Sequence, residues 1–344
     1  MRTEERLRDA IPPRTILLVA GVLLLQLGFI LSYVGAFHSP SPSGVRLAVV
    51  GPQATVQRLD ALPDDPLEVE PAASEAEVRQ RILDREVSAG FVVARTGTTD
   101  RLLVASAAGP ALATAVEQVV TQVENAQRRT VQVVDLVAPE AGDARALTGF
   151  YAVVGWLVGG YLAAAALAIA RGARPATLQR TLIRLGAMVP YAVLSGLGGA
   201  LILDQWLHAL AGHFFALWWI GALLTFTAAT VTMALQVLFG VLGVGLTVLI
   251  FVILGNPSAG GAYQAELLPT FWRVIGGALP NGAGTEALRN YVYFSGHATT
   301  RPLLLIAIWG AAGLLVTLAG SLLHLRRAAQ REPVSEGRHA KHEA

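Results

Sequence analysis

Cysteine is absent from this chain of 344 residues, and lysine occurs once, at Lys341 in the C-terminal tail. Without cysteine the chain forms no disulfide, no thiolate nucleophile and no cysteine-ligated zinc or iron–sulfur site. The lack of an internal lysine also excludes a P-loop and a Schiff-base lysine, because both need a lysine at a defined place in the folded core. The chain therefore has no P-loop nucleotide site of its own.

Charge is scarce as well. Charged residues make up 15% of the chain and apolar residues 53%, with a mean hydropathy of +0.53. In an average soluble domain about a quarter of the residues are charged. The composition therefore predicts an integral membrane protein.

Membrane helices are predicted wherever about 20 consecutive residues lack Asp, Glu, Lys and Arg, since that length crosses roughly 30 Å of hydrocarbon. Four such windows are separate, and residues 205–265 form a longer uncharged stretch that fits two helices divided at Gln236–Gly240. We expect the second of these two helices to stop at Gly255, Asn256 and Pro257. The six predicted spans are Thr15–Phe37, Leu147–Ala170, Leu185–Leu203, one from about Phe214, one ending near Leu254, and Pro302–Leu323.

Basic residues beside the spans predict the orientation. With six spans both termini lie on one side, together with residues 171–184, and that side carries 13 basic and 6 acidic residues, against 13 and 18 on the other. The positive-inside rule makes the first side cytoplasmic. We therefore expect a multi-pass protein of the cytoplasmic (plasma) membrane with both termini, residues 1–14 and 326–344, in the cytoplasm. The basic pI then needs no nucleic-acid partner.

The first span, residues 15–37, has a second interpretation. Its arginine-rich flank, its apolar run and the small residues Gly35 and Ala36 also fit a cleaved signal peptide. The apolar run is longer than the core of a typical signal peptide, which favours a membrane anchor. Cleavage would leave five spans and an external N-terminus.

Residues 38–146 have the composition of a small soluble α/β domain, which this topology places outside the cytoplasm, and residues 147–325 form the remaining transmembrane domain. Pro63, Pro66 and Pro71 indicate a loose surface segment after the first strand. The predicted strands are Val45–Gly51, Gly90–Ala94, Arg101–Ser106 and Val131–Val137, and the predicted helices are Glu75–Arg85, with Ser74 as its N-cap, and Ala111–Gln127.

No Asp, Glu, Lys or Arg falls in the middle of a predicted span. Ion-coupled carriers usually place such a residue there, so the sequence argues against a proton or sodium antiporter. Asp204, His208 and His213 fall between the third and fourth spans, where they are either solvated loop residues or a proton relay. We expect the neutral polar residues of the spans to form hydrogen bonds between helices: Gln26, Ser195, Thr225, Thr227, Thr232 and Gln236.

Glycine is frequent in the spans, and Gly155 and Gly159 form a small-xxx-small pair that allows close helix contact. Three interpretations are open for this pair. It packs helices within the chain, forms the seam of a homodimer, or provides a surface on which helices slide.

Residues 256–301 are too apolar for an ordinary loop, yet prolines and glycines prevent either half from spanning a membrane. Apolar residues at helical spacing around Phe271–Trp272 and around Leu288–Tyr291 predict two short helices in the outer membrane interface, or dipping into it. Irregular backbone at that depth must be covered by protein or line a water-filled path. An interfacial lid without a transport role is the alternative.

The motifs "NPSAGG", "LLPTFWR" and "LPNGAGTEALRN" in this region, ahead of a final span and a basic tail, resemble the C-terminal half of the ABC-2-type membrane permeases. The resemblance is closest to their YhgE/Pip-like branch, the phage infection protein family. The order of one span, a large external domain and five further spans is also similar. The external domain is shorter here than the coiled-coil insert of the phage-receptor members, which favours an exporter permease over a phage receptor.

The resemblance implies a permease subunit that forms a homodimer, or a heterodimer with a similar permease, in contact with membrane lipid. A separate ATP-binding subunit would bind ATP and drive it, and no cofactor or metal is expected in this chain. In the family a short helix between the second and third spans transfers force. The candidate coupling residues are therefore Arg174, Gln179, Arg180 and Arg184, with plain positive-inside topology as the competing explanation. The candidates in the external re-entrant region are Asn256, Pro257, Pro269, Phe271, Trp272, Arg273, Pro280 and Arg289.

The apolar spans favour export of a hydrophobic or amphipathic molecule, such as a lipid, glycolipid, drug or antibiotic. The alternative is a non-transporting envelope scaffold or receptor whose external domain binds a partner. An intramembrane enzyme is disfavoured, since the chain has no H-E-x-x-H motif, no G-x-S-x-G motif and no paired intramembrane aspartates. We expect the tail from Arg326 to be disordered, with its first arginines near anionic lipid, and the alternative of a weak metal site at His339 and His342 is not favoured.

Overall fold

The computed structural model describes residues 13–172 and 177–331. It is mostly helical, with a five-stranded sheet inserted after the first helix. The helices are α1 (Pro13–Phe37), α2 (Gln53–Asp60), α3 (Glu75–Leu83), α4 (Pro110–Ala126), α5 (Thr148–Arg171), α6 (Leu178–Ala200, continued by a π-turn Leu201–Trp206), α7 (Phe214–Phe239), α8 (Leu242–Ser258), α9 (Thr270–Gly276), α10 (Pro280–Tyr293) and α11 (Thr300–Arg331). The strands are β1 (Val45–Val50), β2 (Leu67–Pro71), β3 (Ala89–Val92), β4 (Thr99–Val104) and β5 (Thr130–Asp135).

Five of these helices are long and apolar enough to cross a membrane, namely α1, α5, α6 with its π-turn, α7 and α11. This agrees with the predicted polytopic helical membrane protein. The predicted fifth span corresponds to α8, which is apolar but shorter than the other five. Three sequence-predicted features, namely most of the N-terminal segment, Arg174 and the end of the tail, lie outside the described residues.

Two span boundaries differ from the prediction. α6 begins at Leu178 and not at Leu185, because Thr177 caps it by accepting a hydrogen bond from the N–H of Arg180 at 3.2 Å. α8 does not stop near Leu254 but continues through Pro257 to Ser258. A π-turn at Leu249–Leu254 precedes this proline and changes the hydrogen-bond register of the helix, so the proline ring is accommodated.

The α/β domain is built on a mixed sheet of order β2-β1-β3-β4-β5. β1 pairs in parallel with β2 and β3, whereas β4 is antiparallel to β3 and parallel to β5. Helices α2 and α4 pack on one face of the sheet and α3 on the other. The four predicted strands and two predicted helices are present, and the Ser74 side chain caps α3 by accepting from the N–H of Glu77.

The prediction of a loose segment between the first strand and α3 is wrong, because that segment folds into α2 and β2. Leu67 and Val69 of β2 join the core beneath α2 and α4. β2 is an edge strand, where a proline is tolerated because no neighbouring strand needs the N–H that Pro71 lacks. The carboxylate of Asp60 accepts a hydrogen bond from the N–H of Val69 at 3.2 Å.

α7 forms the centre of the helix bundle. Of the residues in its most apolar stretch 67% are buried, against 33% for α5 and 28% for α6. Helices α5, α6 and α11 surround it. A Cβ atom at Gly160 of α5 would lie 2.3 Å from the carbonyl oxygen of Thr225, and one at Gly196 of α6 would lie 2.2 Å from that of Trp218. Both helices therefore cross α7 at a position where only glycine fits.

The predicted pair Gly155 and Gly159 makes no such crossing. A Cβ atom at Gly155 would meet no atom within 4 Å, and one at Gly159 would come no closer than 3.4 Å, to the hydroxyl of Tyr191. Close packing within the chain is therefore not the role of Gly155. The homodimer seam and the sliding surface stay as hypotheses.

Neutral polar side chains link α7 to its neighbours, as predicted. Two of the predicted residues behave differently, because Thr232 donates to the carbonyl of Ala228 in its own helix and Gln26 is exposed on α1. The interhelical bonds of the predicted residues are Ser195–Thr225 (3.2 Å), Thr227 to the carbonyl of Ile306 (3.2 Å) and Gln236 to the carbonyl of Ala164 (3.4 Å).

Candidate functional site

The chain between α8 and α11 forms a compact unit that we call the platform, residues 255–299. It contains the last turn of α8, a 3₁₀ turn at Ala265–Leu267, and the two short helices α9 and α10. Prolines stand where these helices begin, with Pro269 as the N-cap of α9 and Pro280 as the first residue of α10. A proline is favoured there because its missing N–H would have no partner inside the helix.

α9 presents two different faces. Trp272 is buried against Ala36 of α1 and Leu268, whereas Phe271 and Val274 are exposed. The guanidinium of Arg273 donates to the carbonyl oxygens of Ala265 at 3.1 Å and of Leu268 at 3.4 Å. Arg273 therefore closes the turn that precedes α9, and the exposed pair forms the apolar outer face of the platform.

Arg289 of α10 is a buried cation. Its guanidinium donates to the carbonyl oxygen of Gly260 at 2.7 Å and forms no ion pair within the described part of the chain. Burial, together with the nearby charge of Arg85, lowers the pKa of Arg289 to about 10. The group therefore stays charged at neutral pH and holds the Gly260 turn against α10.

Asp143, which the sequence did not single out, ties the platform to the start of α5. Its buried carboxylate accepts hydrogen bonds from the N–H groups of Leu147 at 2.9 Å and Thr148 at 2.8 Å. It also accepts one from the hydroxyl of Tyr293 at 2.7 Å. Burial and the hydrogen bond to Asp143 raise the pKa of Tyr293 above its usual range, so the phenol stays protonated as a donor.

Asn281 of α10 holds the end of α8. Its side-chain amide donates to the carbonyl of Phe251 at 2.9 Å and to the side-chain oxygen of Asn256 at 2.8 Å. Its own Oδ1 is the one buried side-chain polar atom without a hydrogen-bond partner in the described residues. A Cβ atom on Gly255 would lie 2.3 Å from this oxygen, so any larger residue at position 255 would collide with the Asn281 side chain.

The α/β domain rests on the platform. Arg85, just after α3, donates to the side-chain oxygen of Asn290 at 3.1 Å and lies 4.7 Å from the centre of the Phe294 ring. Burial lowers the pKa of Arg85, with the nearby acids Glu286 and Glu266 opposing that effect. The platform therefore lies between the sheet domain and the membrane helices.

The same interface has a second polar contact and two apolar ones. The side-chain oxygen of Gln264 accepts from the N–H of Leu112 in α4 at 3.2 Å. Leu267 joins the core on the α4 side of the sheet, and Phe294 joins the core on the α3 side. The hydrophobic cores on both faces of the sheet therefore include residues of the platform.

The candidate coupling residues lie at the opposite end of the bundle. Gln179, Arg180 and Arg184 belong to the first two turns of α6 itself, and the connection from α5 is only residues 172–177. Gln179 and Arg180 are exposed, and Arg184 donates to the carbonyl of Gly172 at 2.9 Å. The described residues thus contain no separate short helix between α5 and α6.

Asp204 lies in the π-turn that ends α6 and does not fit the expectation of a solvated loop residue. Asp204 is 3% exposed, and its carboxylate accepts a hydrogen bond from the N–H of His213 at 3.0 Å. His208 is exposed, and His213 lies 3.5 Å from Glu140. Through this hydrogen bond the buried Asp204 holds the segment between α6 and α7 in place.

The two ends of the helix bundle differ in chemistry. Exposed aromatic residues lie at the platform end, where α5 and α7 begin and α6 ends, and arginines lie where α5 ends and α6 begins. The exposed aromatic residues at the platform end are Tyr151, Trp206, Phe215, Trp219, Phe271 and Tyr291, whereas Phe239 is exposed at the opposite end. Within the described residues no three His, Asp or Glu side chains form a group that could hold a metal ion.

Comparison of this chain with models of protein families, with curated proteins and with solved structures found no match.

Proposed function

We propose that this chain is the permease subunit of an exporter that moves a hydrophobic or amphipathic molecule and is powered by a separate ATPase. The observation that carries the proposal is the α/β domain seated, through the platform, on a bundle of apolar helices. The described spans carry no charged side chain in their middle. In α6, for example, the charged residues are the arginines near its start and Asp204 near its end. An uncharged interior suits an amphiphile better than an ion.

The proposed topology has six spans, with α8 as the fifth. At 1.5 Å per residue its length is roughly 26 Å, slightly less than the hydrocarbon thickness, which local thinning of the bilayer accommodates. The proposal puts the platform end outside because the arginines lie at the other end of the bundle, which the positive-inside rule makes cytoplasmic. Arg180 and Arg184 mark the cytoplasmic end.

The proposed partners follow from the same arrangement. An ATP-binding subunit would contact the cytoplasmic ends of α5 and α6, where Gln179 and Arg180 are exposed. A second permease copy would complete the path, and the exposed Gly155 on α5 is a candidate for that seam. Cargo would leave between the two copies beside the platform.

Co-purification tests this proposal. The protein, solubilised in mild detergent from its native host, is expected to carry an ATPase subunit and to contain two permease chains in each complex. Arg180→Ala is expected to weaken retention of the ATPase, and Arg101→Ala, a matched arginine change on the α/β domain, is expected to leave it unchanged. A lone chain without an ATPase would contradict the proposal.

A second function, a non-transporting receptor of the cell envelope, is favoured by one observation. β5 is an edge strand that pairs only with β4, and most of its residues are exposed. An open strand edge can bind an extended segment of another protein. Recovery of an envelope protein in place of the ATPase in the same co-purification would support this second function.

A further inference from the structure

The sheet of the α/β domain has two edge strands, β2 and β5, and the β2 edge is closed. Just after β2, the N–H of Ala72 donates to the carbonyl of Val49 in β1 at 2.8 Å. Alternate residues of a strand face the same neighbour, so the odd-numbered residues of β2 point their backbone groups away from β1. At these positions Asp60 accepts the N–H of Val69 at 3.2 Å, and Pro71 has no N–H. Another strand therefore finds few free donors on β2.

The β5 edge has no such closure. Leu136, just after β5, donates to the carbonyl of Val104 in β4 at 2.8 Å, so the even-numbered residues of β5 face β4. The N–H and C=O groups of Val131 and Val133 therefore point away from β4, and no group of the described chain hydrogen-bonds to them. The strand has no proline and no charged residue before Asp135. Proline and charge are the usual means by which an edge strand is blocked, so β5 is open to pairing.

β5 runs towards the platform. The chain just before β1 and β3 contacts the platform, because the N–H of Ser43 donates to the carbonyl of Glu266 at 3.0 Å and the hydroxyl of Ser88 donates to its carboxylate at 3.2 Å. Since β4 is antiparallel to β3 and β5 is parallel to β4, β5 ends on this side. In a second copy in the same membrane, β5 would run in the same direction. Pairing the two strands would bring Arg128 next to Arg128 and Asp135 next to Asp135, which is repulsive, so a second copy does not fit this edge.

The two ends of β5 carry opposite charges. Arg128 is exposed just before the strand and Asp135 is exposed at its end, and neither forms an ion pair with a residue that the structure describes. The carboxylate of Asp135 is held in place because it accepts the N–H of Ser106 at 3.0 Å. A segment antiparallel to β5 would begin beside Asp135 and end beside Arg128. A basic residue at its start and an acidic residue at its end would complement both charges.

We propose that β5 is a docking edge for an extended segment of another envelope protein, which pairs antiparallel to it. The segment begins with a basic residue, ends with an acidic residue and has about four uncharged β-forming residues between them. The backbone groups of Val131 and Val133 hold it by hydrogen bonds, and the 37% exposed side chain of Val133 contacts its middle. The edge is inferred from β5 itself. Its use by a receptor rests on the second function proposed above.

Disulfide capture of a peptide tests the docking edge. The chain has no cysteine, so Gln132→Cys places the only thiol on β5, and Glu68→Cys, at an exposed position of β2, is the matched control. The probe is the peptide KTVCVE with blocked termini, whose cysteine lies opposite residue 132 when its lysine lies opposite Asp135. Opposite Cα atoms of an antiparallel pair are about 4.5–5.5 Å apart, which a disulfide can span.

The full-length protein, in nanodiscs of phosphatidylglycerol and phosphatidylethanolamine, is equilibrated with the peptide in a glutathione redox buffer. Mass spectrometry then measures the captured fraction. We expect about ten times more capture by Gln132→Cys than by Glu68→Cys. The peptide ETVCVK, in which the two charges are exchanged, should be captured about threefold less than KTVCVE.

Two further variants make the test specific. In the Gln132→Cys protein, Val133→Lys places a charge on the open edge and should reduce capture about fivefold, whereas Val133→Thr should preserve it. Because Val133 is partly exposed, the midpoint of thermal unfolding should be the same in both. Equal capture at β5 and β2, or equal capture of the two peptides, would overturn the docking edge. Disulfide-linked pairs of Gln132→Cys chains would also overturn it, since a second copy would then occupy the edge.

Amide exchange gives a second measurement on the unmodified chain. The peptide KTVTVE at saturation is expected to slow exchange in residues 131–135 about threefold and to leave residues 67–71 unchanged. Unchanged exchange in both ranges would overturn the docking edge as well. Neither measurement needs an ATPase or an envelope partner. Peptide capture by a protein that co-purifies with no envelope protein would therefore leave the edge in place and remove only the receptor function.

Discussion

The hydroxyl of Tyr293 donates a 2.7 Å hydrogen bond to the buried carboxylate of Asp143. The same carboxylate accepts the N–H groups of Leu147 and Thr148, so one side chain both caps the start of α5 and joins it to the end of α10. The platform is thereby connected to the second membrane helix by a charged hydrogen bond in a buried place, where such bonds are strong.

Loss of this hydroxyl is expected to destabilise the protein. Tyr293→Phe removes one of the donors to a buried carboxylate, which costs about 1.5–3 kcal/mol. The midpoint of thermal unfolding in detergent should therefore fall. Tyr291→Phe is the matched control, because Tyr291 lies on the same helix and its hydroxyl makes no hydrogen bond in the described structure. An equal fall in both variants would contradict the role of the Tyr293–Asp143 bond.

The α/β domain is expected to lose stability as the pH rises through about 7. Glu124 is buried in α4, and burial, with a hydrogen bond and the charge of Asp100, raises its pKa to about 7. A raised pKa means that the folded state favours the protonated form. The stabilisation is thus fully present below pH 4.5, the ordinary pKa of the group, and is lost as the pH rises through 7.

The neighbouring Asp100 acts in another pH range. Burial opposes its ionisation, but hydrogen bonds from Arg129 and from the N–H of Ala94 lower its pKa below 3.8. We therefore expect the unfolding temperature of the wild type to fall by about 5 °C between pH 5.5 and pH 8.5. Glu124→Gln should abolish that fall, and Glu117→Gln, at an exposed position of the same helix, should keep it. A pH-dependence that survives Glu124→Gln would rule out this assignment.

Gly196→Ala is expected to separate α6 from α7. The added methyl group would lie 2.2 Å from the carbonyl oxygen of Trp218, so the helices must shift, at a cost of about 1–3 kcal/mol. Gly186→Ala, on the same helix, would meet no atom within 4 Å and should stabilise the helix slightly. Thermal unfolding of both variants checks the pair, and an unchanged midpoint in Gly196→Ala would show that α6 does not approach α7 so closely.

Arg85→Met is expected to loosen the α/β domain from the platform. It removes the hydrogen bond to Asn290 and the cation above the Phe294 ring, together worth about 1–3 kcal/mol. Amide exchange in residues 290–297 should then become faster. Arg79→Met removes a half-buried arginine whose partner is Glu75 within its own helix, so it should leave that exchange unchanged. Equal exchange rates in Arg85→Met and the wild type would argue against a docked domain.

Much of the α/β domain could be predicted from local patterns. The β-branched runs predicted four strands, and Ser74 as an N-cap predicted the start of α3, because strand formation and helix capping depend on neighbouring residues. α2 and β2 could not be found in this way. Prolines dominate their local pattern, and it is pairing with β1 and burial of Leu67 that make this segment ordered.

The candidate site was only partly accessible to sequence reasoning. Apolar residues at helical spacing within residues 256–301 predicted two short helices, and both helices are present. The contacts that hold the platform in place come from other residues, among them Asn281, Asp143 and Arg85. Arg85 and its partner Asn290 are 205 residues apart in the chain, so no spacing rule could pair them.

By itself the sequence determined the membrane character of the chain, the absence of thiol and P-loop chemistry, and the places where most helices and strands form. These properties depend on composition and on residues close together in the chain, whose effects add locally. The tertiary structure alone decided which glycines meet a neighbouring helix, which buried polar groups find partners, and where α8 is interrupted. Those features arise only when segments distant in the chain compete for the same space and the same hydrogen bonds.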